Sequence, residues 1–164
     1  NLVINGGRLI ATGIKQVIYN YGGGNVEISG DAYLSSKTSG KPTNTAMERG
    51  TVQCLSNGNL IITGGTIIGE NQQAVSNEGN LTIGVKDGNI NSSTPALIGK
   101  VHGVRSAGTF NFYDGIIKGI TDAIDGTISD QETNSQLING TEVISNKTYK
   151  TVHLEITEWW NYSL

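Results

Sequence analysis

The chain has 164 residues, a net charge of −3 and only 15% charged residues. This length fits one domain with a substantial core. The acidic balance argues against a nucleic-acid partner, because phosphate binding needs clustered Lys and Arg. No apolar run approaches the roughly 18–20 residues that cross a bilayer, so membrane insertion is not expected. A single cysteine, Cys54, excludes an internal disulfide framework and a cysteine-based zinc site.

The composition favours strands and turns over helices. The chain contains 23 Gly, 20 Ile, 17 Thr and 17 Asn. β-Branched residues suit pleated strands, and Gly and Asn readily adopt the positive φ angles of corners. Glycine recurs too often for helices of ordinary length, and apolar residues alternate with a period of two. The sequence therefore predicts an all-β fold.

One short pattern recurs along the chain from its first residues. Each copy reads polar, apolar, any residue, apolar and then a corner that contains glycine, which indicates stacked structural units. The copies begin at Asn1, Asn25, Asn59, Asn80 and Thr109. Stacking places equivalent apolar residues above one another, so two internal ladders are expected. The first comprises Leu2, Val26, Leu60, Leu81 and Phe110, and the second comprises Ile4, Ile28, Ile62, Ile83 and Phe112.

A second pattern, a short apolar pair before a polar residue and glycine, precedes copies of the first. Its members are Val17–Asn20, Cys54–Asn57, Ala74–Asn77, Gly103–Ser106 and the start of a further copy at Asp122–Gly126. Each repeat should therefore hold two or three short strands. The repeats are 21 to 34 residues apart, and the shortest interval suits one coil of a parallel β-helix. The longest interval contains a predicted protruding loop at about Leu34–Arg49.

These features favour a single-stranded right-handed parallel β-helix of about five coils over residues 1–128. A sandwich or barrel of antiparallel hairpins is the alternative, since Asn-Gly dipeptides typical of hairpin turns also occur. Because the chain opens within an apolar pattern, it is expected to be an excised piece of a larger surface protein.

The pattern changes after Ser129, and residues 129–164 are expected to form a C-terminal strand or capping segment. Alternating residues from Tyr149 onwards predict a hairpin that turns at Asn146-Lys147. The Glu158–Tyr162 end is interpreted as a cap on the last coil. The alternatives are an aromatic ligand platform and a linker into a further domain.

The sequence offers few candidates for catalysis. A polysaccharide lyase or hydrolase on this fold needs clustered acidic residues. The densest group, Asp122, Asp125 and Asp130, could bind calcium, although solvated corner carboxylates are the preferred interpretation. His102 and His153 are expected to be surface or stacking residues, and no nucleophile elbow or P-loop occurs. Neither enzyme activity nor a cofactor is expected.

Aromatic residues are the candidate ligand-binding positions. Several lie beside glycine or polar corners, where partial exposure would let a ring stack on a sugar. They are Tyr19, Tyr21, Tyr33, Tyr113 and Trp159.

The repeat Gly-x-Leu-x-Ile-x-Gly-Gly-x-Ile resembles the degenerate β-helix repeats of large bacterial cell-surface and adhesin-like proteins, within the pectate-lyase-like superfamily. Phe110–Gly119 is similar to the terminal repeat of many of them, and Leu137–Tyr149 is similar to the segment that often follows. The resemblance implies the β-helix fold and an extracellular location at the bacterial surface. It implies little about activity, because that superfamily includes lyases, hydrolases, phage tailspikes and inert stalks.

The expected function is a non-catalytic surface or adhesin module that acts as a rigid stalk or presents a binding face. Its partner would be a host or cell-wall glycan or protein, and the chain is expected to be a monomer. A carbohydrate-binding or degenerate polysaccharide-active β-helix is the first alternative. A phage tail fibre segment, which would normally require trimerisation, is the second.

Overall fold

The computed structural model describes residues 1–43, 45 and 47–157. These residues form 18 strands and no helix, which confirms the predicted all-β fold. Accordingly, no helix in this part of the chain is long and apolar enough to span a membrane.

The first 15 strands follow one another as five successive triplets. They are β1 (Leu2–Ile4), β2 (Arg8–Ala11) and β3 (Ile18–Asn20); β4 (Asn25–Ile28), β5 (Tyr33–Ser36) and β6 (Gly50–Cys54); β7 (Asn59–Ile62), β8 (Thr66–Gly69) and β9 (Gln73–Asn77); β10 (Asn80–Ile83), β11 (Ala96–Gly99) and β12 (His102–Ser106); β13 (Thr109–Phe112), β14 (Ile116–Gly119) and β15 (Asp122–Asp125). Three further strands are β16 (Asp130–Gln131), β17 (Ser135–Ile144) and β18 (Lys147–Ile156).

Each member of a triplet joins a different sheet. Sheet A has the order β1-β4-β7-β10-β13-β16 and sheet C the order β3-β6-β9-β12-β15, with every pairing parallel. Sheet B runs β2-β5-β8-β11-β14 in parallel and then adds β18 and β17 in antiparallel fashion. Three parallel sheets that recur in this order are compatible with a parallel β-helix. The alternative of antiparallel hairpins is wrong for the five triplets.

Columns of apolar side chains, stacked by the parallel register, build the core. In sheet A, Leu60 pairs with Val26 and Leu81, and the same register continues to both ends, which confirms both predicted ladders. Leu2, on the edge strand, is 44% exposed, whereas Leu60 is fully buried. Sheets B and C carry matching columns. They are Leu9, Leu34, Ile67, Leu97 and Ile117 in sheet B, and Ile18, Val52, Val75, Val104 and Ile124 in sheet C. Burial of each large aliphatic side chain contributes about 1.5–3 kcal/mol.

Buried asparagines hold the corners between sheets C and A. Asn77 Nδ2 donates to Ser106 Oγ (2.9 Å) and to the Thr109 carbonyl (3.0 Å). Its Oδ1 accepts from the Gly79 amide at 3.1 Å. These bonds satisfy backbone groups that would otherwise be buried without partners. They explain why a polar residue and a glycine follow the apolar pair in the second sequence pattern.

One copy of the second pattern is misplaced by three residues in the sequence-based alignment. The register of sheet C sets Cys54, and not Asn57, level with Asn20 and Asn77. Asn57 instead occupies a turn before β7 with a φ of 66°. Asn57-Gly58 therefore matches the sequence pattern of a corner, although it lies in an additional turn between β6 and β7.

The long segment between β5 and β6 does not simply protrude. Its predicted first residues, Leu34 to Ser36, belong to β5, and its last residues pack on the outward face of sheet C. Ser76 Oγ donates to the Glu48 carbonyl at 2.8 Å, and Met47 is buried. The described part of this loop, residues 37–43, 45 and 47–49, thus packs back on the sheet.

A hairpin follows the triplets, as predicted, but turns one residue earlier. Ile144 pairs with Lys147, so the two turn residues are Ser145 and Asn146, with φ angles of 50° and 63°. Positive φ at both positions suits the twist of a two-residue hairpin turn. β18 also pairs with β14, and Leu154 of β18 is fully buried. The predicted cap at Glu158–Tyr162 lies outside the described residues.

Candidate ligand-binding groove

Two predicted aromatic residues, Tyr19 and Tyr21, lie together on the surface. β3 buries Ile18 and Asn20, so the alternation of the strand turns Tyr19 outward. Tyr21 follows directly after the strand. The two rings are nearly parallel, with an interplanar angle of 4° and centroids 6.2 Å apart. Tyr19 is 40% exposed and Tyr21 is 67% exposed, so the pair offers an aromatic surface to a ligand.

The tyrosine pair belongs to a groove of about 550 Å³, here called the tyrosine groove. Its lining residues are Lys15, Gln16, Tyr19, Tyr21, Pro42, Thr43 and Arg49. Lys15 precedes β3 and Arg49 precedes β6, and these two strands are neighbours in sheet C. Among the residues that the structure describes, the groove lining combines aromatic rings with two positive charges and contains no carboxylate.

Hydrogen bonds anchor both sides of the tyrosine groove. The Ser39 amide donates to the Ile14 carbonyl at 3.2 Å, and the Arg49 amide donates to the Gly40 carbonyl at 3.0 Å. Arg49 Nη1 donates to the Ser39 carbonyl, which fixes the guanidinium. On the strand side, Gln16 Nε2 donates to Gln53 Oε1 at 2.8 Å. The groove is thus held by backbone pairing and by side-chain contacts of the loop.

The other predicted aromatic residues lie apart from this groove. The Arg8 guanidinium stacks over the ring of Tyr33 at 4.5 Å from its centroid. Tyr113 donates its hydroxyl to Asp130 Oδ2 at 2.8 Å. Both rings are half-buried and have partners within the chain. Trp159 lies outside the described residues.

Lys86, Asp130 and Tyr113 form a small electrostatic cluster. Lys86 Nζ lies 2.8 Å from Asp130 Oδ2 and 5.4 Å from the Tyr113 ring centroid. The hydrogen bond from Lys86, helped by that from Tyr113, lowers the pKa of Asp130. The same bond to Asp130 raises the pKa of Lys86. Burial, followed by the hydrogen bond to Asp130, raises the pKa of Tyr113.

The three calcium candidates have separate cationic neighbours. Asp122 Oδ1 lies 3.1 Å from Lys150 Nζ, and Asp125 Oδ2 lies 3.2 Å from Arg105 Nε. Asp130 belongs to the cluster with Lys86. Within residues 1–43, 45 and 47–157, no group of three or more His, Cys, Asp or Glu side chains is placed to hold a metal ion. The structure therefore does not bring these carboxylates together.

Cys54 and the two histidines, His102 and His153, make contacts within the fold. Cys54 is fully buried, and burial raises the pKa of its thiol. His102 is also buried, with Nε2 3.6 Å from Asp125 Oδ2. His153 Nε2 lies 3.1 Å from Glu155 Oε1 on the hairpin.

The sequence did not indicate that Lys15, Gln16 and Arg49 belong to one site. The signal that could have brought them together is the pairing of β3 with β6 in sheet C, because Lys15 and Gln16 precede β3 and Arg49 precedes β6. Comparisons of the chain with protein-family models, with curated proteins and with solved structures each returned no match. The resemblance to bacterial surface repeats therefore stays a prediction.

Proposed function

We propose that this chain is a non-catalytic module of a bacterial cell-surface or adhesin-like protein, which acts as a rigid stalk and presents a binding face. The observation that carries the proposal is the continuous stacking of apolar columns through five strands of each of the three sheets. Each strand packs against the strands before and after it along the stacking direction, so the stacked triplets should resist bending.

The architecture proposed for the module is a single-stranded right-handed parallel β-helix of five coils with a capping hairpin. Each triplet of strands would form one coil, because its three members pair in register with the members of the next triplet. Right-handedness is expected from the strong preference of parallel crossover connections for that hand. Five coils at the spacing of paired strands, about 4.8 Å, give a rod about 25 Å long.

The outer surface of sheet A carries a hydrogen-bonded ladder that suits a stalk exposed to solvent. An asparagine ladder runs from Asn1, just before β1, across β4, β7 and β10, with Nδ2 of Asn25, Asn59 and Asn80 each donating to the asparagine of the preceding copy at 3.0, 2.8 and 3.0 Å. Side-chain ladders of this kind stabilise parallel strands on the solvent side. An extracellular location, a monomeric state and a glycan or protein partner follow from the proposed kinship with surface modules.

Carbohydrate binding is the second candidate function, and the tyrosine groove favours it. Parallel exposed rings beside cations form a surface suited to a polar ligand with an apolar face. This function is compatible with the stalk, since a stalk can carry a recognition site on one side.

Three measurements on the purified chain test the proposal. Small-angle scattering should give a compact monomeric rod, and assays for new reducing ends or unsaturated sugars should detect no cleavage of bacterial or plant polysaccharides. Antibody labelling of intact producing cells should find the chain at the surface. Depolymerising activity would refute the non-catalytic assignment, and a stable trimer would favour a phage tail fibre.

A further inference from the structure

We infer that the tyrosine groove binds an acidic saccharide. A sugar ring would pack against Tyr19 and Tyr21. Its carboxylate would lie between Lys15 and Arg49. The inference rests on the proposed function, since a module that presents a binding face needs a surface that recognises a ligand, and it adds both the location and the ligand chemistry.

The aromatic part of the groove suits a pyranose ring. One face of such a ring carries mainly C–H groups, while its rim carries hydroxyls, so it packs on aromatic faces and still forms hydrogen bonds at its edges. Tyr19 and Tyr21 expose nearly parallel rings with centroids 6.2 Å apart. Tyrosine also loses little conformational entropy on binding, because it has only two side-chain torsions.

The charged part of the groove selects an anion. Of the described residues, Lys15 and Arg49 line it and no carboxylate does, although the chain as a whole carries a net charge of −3. The nearest acidic residue in sequence, Glu48, is already bound by Arg105 and lies 3.8 Å from Lys41 Nζ. Local positive charge therefore persists on an acidic protein.

The arginine is positioned before any ligand arrives. Arg49 Nη1 is held by the Ser39 carbonyl, and the Arg49 amide is held by Gly40. Nε of Arg49 is buried, so the N–H groups left to bind a carboxylate are those on its Nη atoms that Ser39 does not use. Preorganised donors of this kind reduce the entropy cost of binding.

A single-stranded nucleic acid is the main competing ligand, because bases stack on tyrosines and phosphates bind cations. The two lining cations in the described part of a chain of net charge −3 are few for such a polyanion, whose affinity grows with the number of neutralised phosphates. A saccharide with isolated carboxylates fits this density of charge better.

Calorimetric titration tests the inference with tetrasaccharides that contain glucuronate, galacturonate or sialate, alongside neutral glucose and N-acetylglucosamine counterparts. An acidic tetrasaccharide should bind about tenfold more tightly than its neutral counterpart, and added salt should reduce the difference by screening. Tyr21→Ala should weaken binding about tenfold, while Tyr21→Phe should retain it because the ring remains. Lys15→Gln should reduce the preference for the acidic ligand.

Matched controls lie on the hairpin. Tyr149→Ala and Lys147→Gln make the same chemical changes away from the groove and should leave binding unchanged, with thermal unfolding showing that each variant folds. The inference is overturned by equal binding of acidic and neutral sugars, by tight binding that survives Tyr21→Ala, by preference for an oligothymidylate, or by no binding to a folded chain. None of those outcomes would contradict the proposed function of the chain as a rigid stalk. Cleavage of a bound sugar would instead refute the non-catalytic assignment.

Discussion

Asn20 Nδ2 lies 3.7 Å from the Sγ of Cys54, its register partner on the next strand of sheet C. The thiol thus occupies, within the buried corner column, the place that asparagines take in β3 and β9. Burial raises the pKa of Cys54 by disfavouring the thiolate, and the Asn20 hydrogen bond only partly offsets this. Cys54 therefore packs into the buried corner, and its surroundings do not activate the thiol.

Cys54 should therefore resist alkylation in the folded chain. At mildly alkaline pH, iodoacetamide should label the native protein far more slowly than the urea-unfolded protein, because the thiolate is scarce and enclosed. Mass spectrometry over time measures both rates. Native labelling as fast as that of the unfolded chain would contradict the burial of the thiol.

Asn77 should contribute more to stability than its polar character suggests. Replacing it by Ala leaves the Thr109 carbonyl and the Gly79 amide without their partner in a buried corner. The free energy of unfolding should fall by about 2–3 kcal/mol, measured by urea denaturation. Asn139→Ala, at an exposed position of β17, is the control and should change it by less than about 0.5 kcal/mol. Equal effects of the two substitutions would show that the corner bonds are dispensable.

The stacked core was predictable from the sequence because its signal is local and repeated. Period-two alternation followed by glycine sets which residues face inward, and register then follows from aligning the copies. This sufficed for Leu60 above Val26 and Ile62 above Ile28. The hairpin was predictable for the same reason, but its turn residues were misassigned, because Ser145 adopts a positive φ that is uncommon for serine.

The tyrosine groove could be predicted only in part. Tyr19 and Tyr21 stand beside a glycine-rich corner, so their exposure was readable. Arg49 enters the groove through a loop that has no periodicity and folds back on sheet C. The pairing of β3 with β6 was also hard to read, because the Asn57-Gly58 turn led to a misaligned copy of the second sequence pattern. The contacts that an irregular loop makes with distant strands produce no repeating pattern in a single sequence, so they could not be predicted from it.

Gly99 should tolerate no side chain. A Cβ on this residue would sit 1.6 Å from the carbonyl oxygen of His102, at the tight corner between β11 and β12. Gly99→Ala should therefore force the backbone apart and lower the free energy of unfolding by about 3 kcal/mol. Gly13→Ala is the control, because nothing lies within 4 Å of its Cβ position. Thermal and urea unfolding of the two variants measure the difference in stability. If Gly99→Ala destabilises the chain no more than Gly13→Ala does, the corner between β11 and β12 can open to admit a side chain.

Asp130 should make stability depend on acid pH. Its folded pKa is lowered by Lys86 and Tyr113. Its contribution is therefore fully present above the ordinary carboxyl pKa, about 3.9, and is lost as pH falls through the lower folded value. The difference in unfolding free energy between the native chain and Asp130→Asn should be present at neutral pH and disappear at the acid end. Lys86→Gln should shrink the neutral-pH difference, since it removes the main cause. A pH-independent difference would contradict this account.

In the 164-residue chain, the end of the three sheets formed by β1, β2 and β3 should mediate weak association at high protein concentration. β1, β2 and β3 are edge strands of sheets A, B and C, and Val3 of β1 is 62% exposed. Exposed apolar edges pair with other strands, and a lysine on such an edge discourages pairing. Sedimentation should show concentration-dependent association of the native chain that Val3→Lys suppresses without loss of thermal stability. Val85→Lys adds the same charge in a loop after β10 and should leave association unchanged. If both variants suppress it equally, net charge and not the edge of sheet A controls the association.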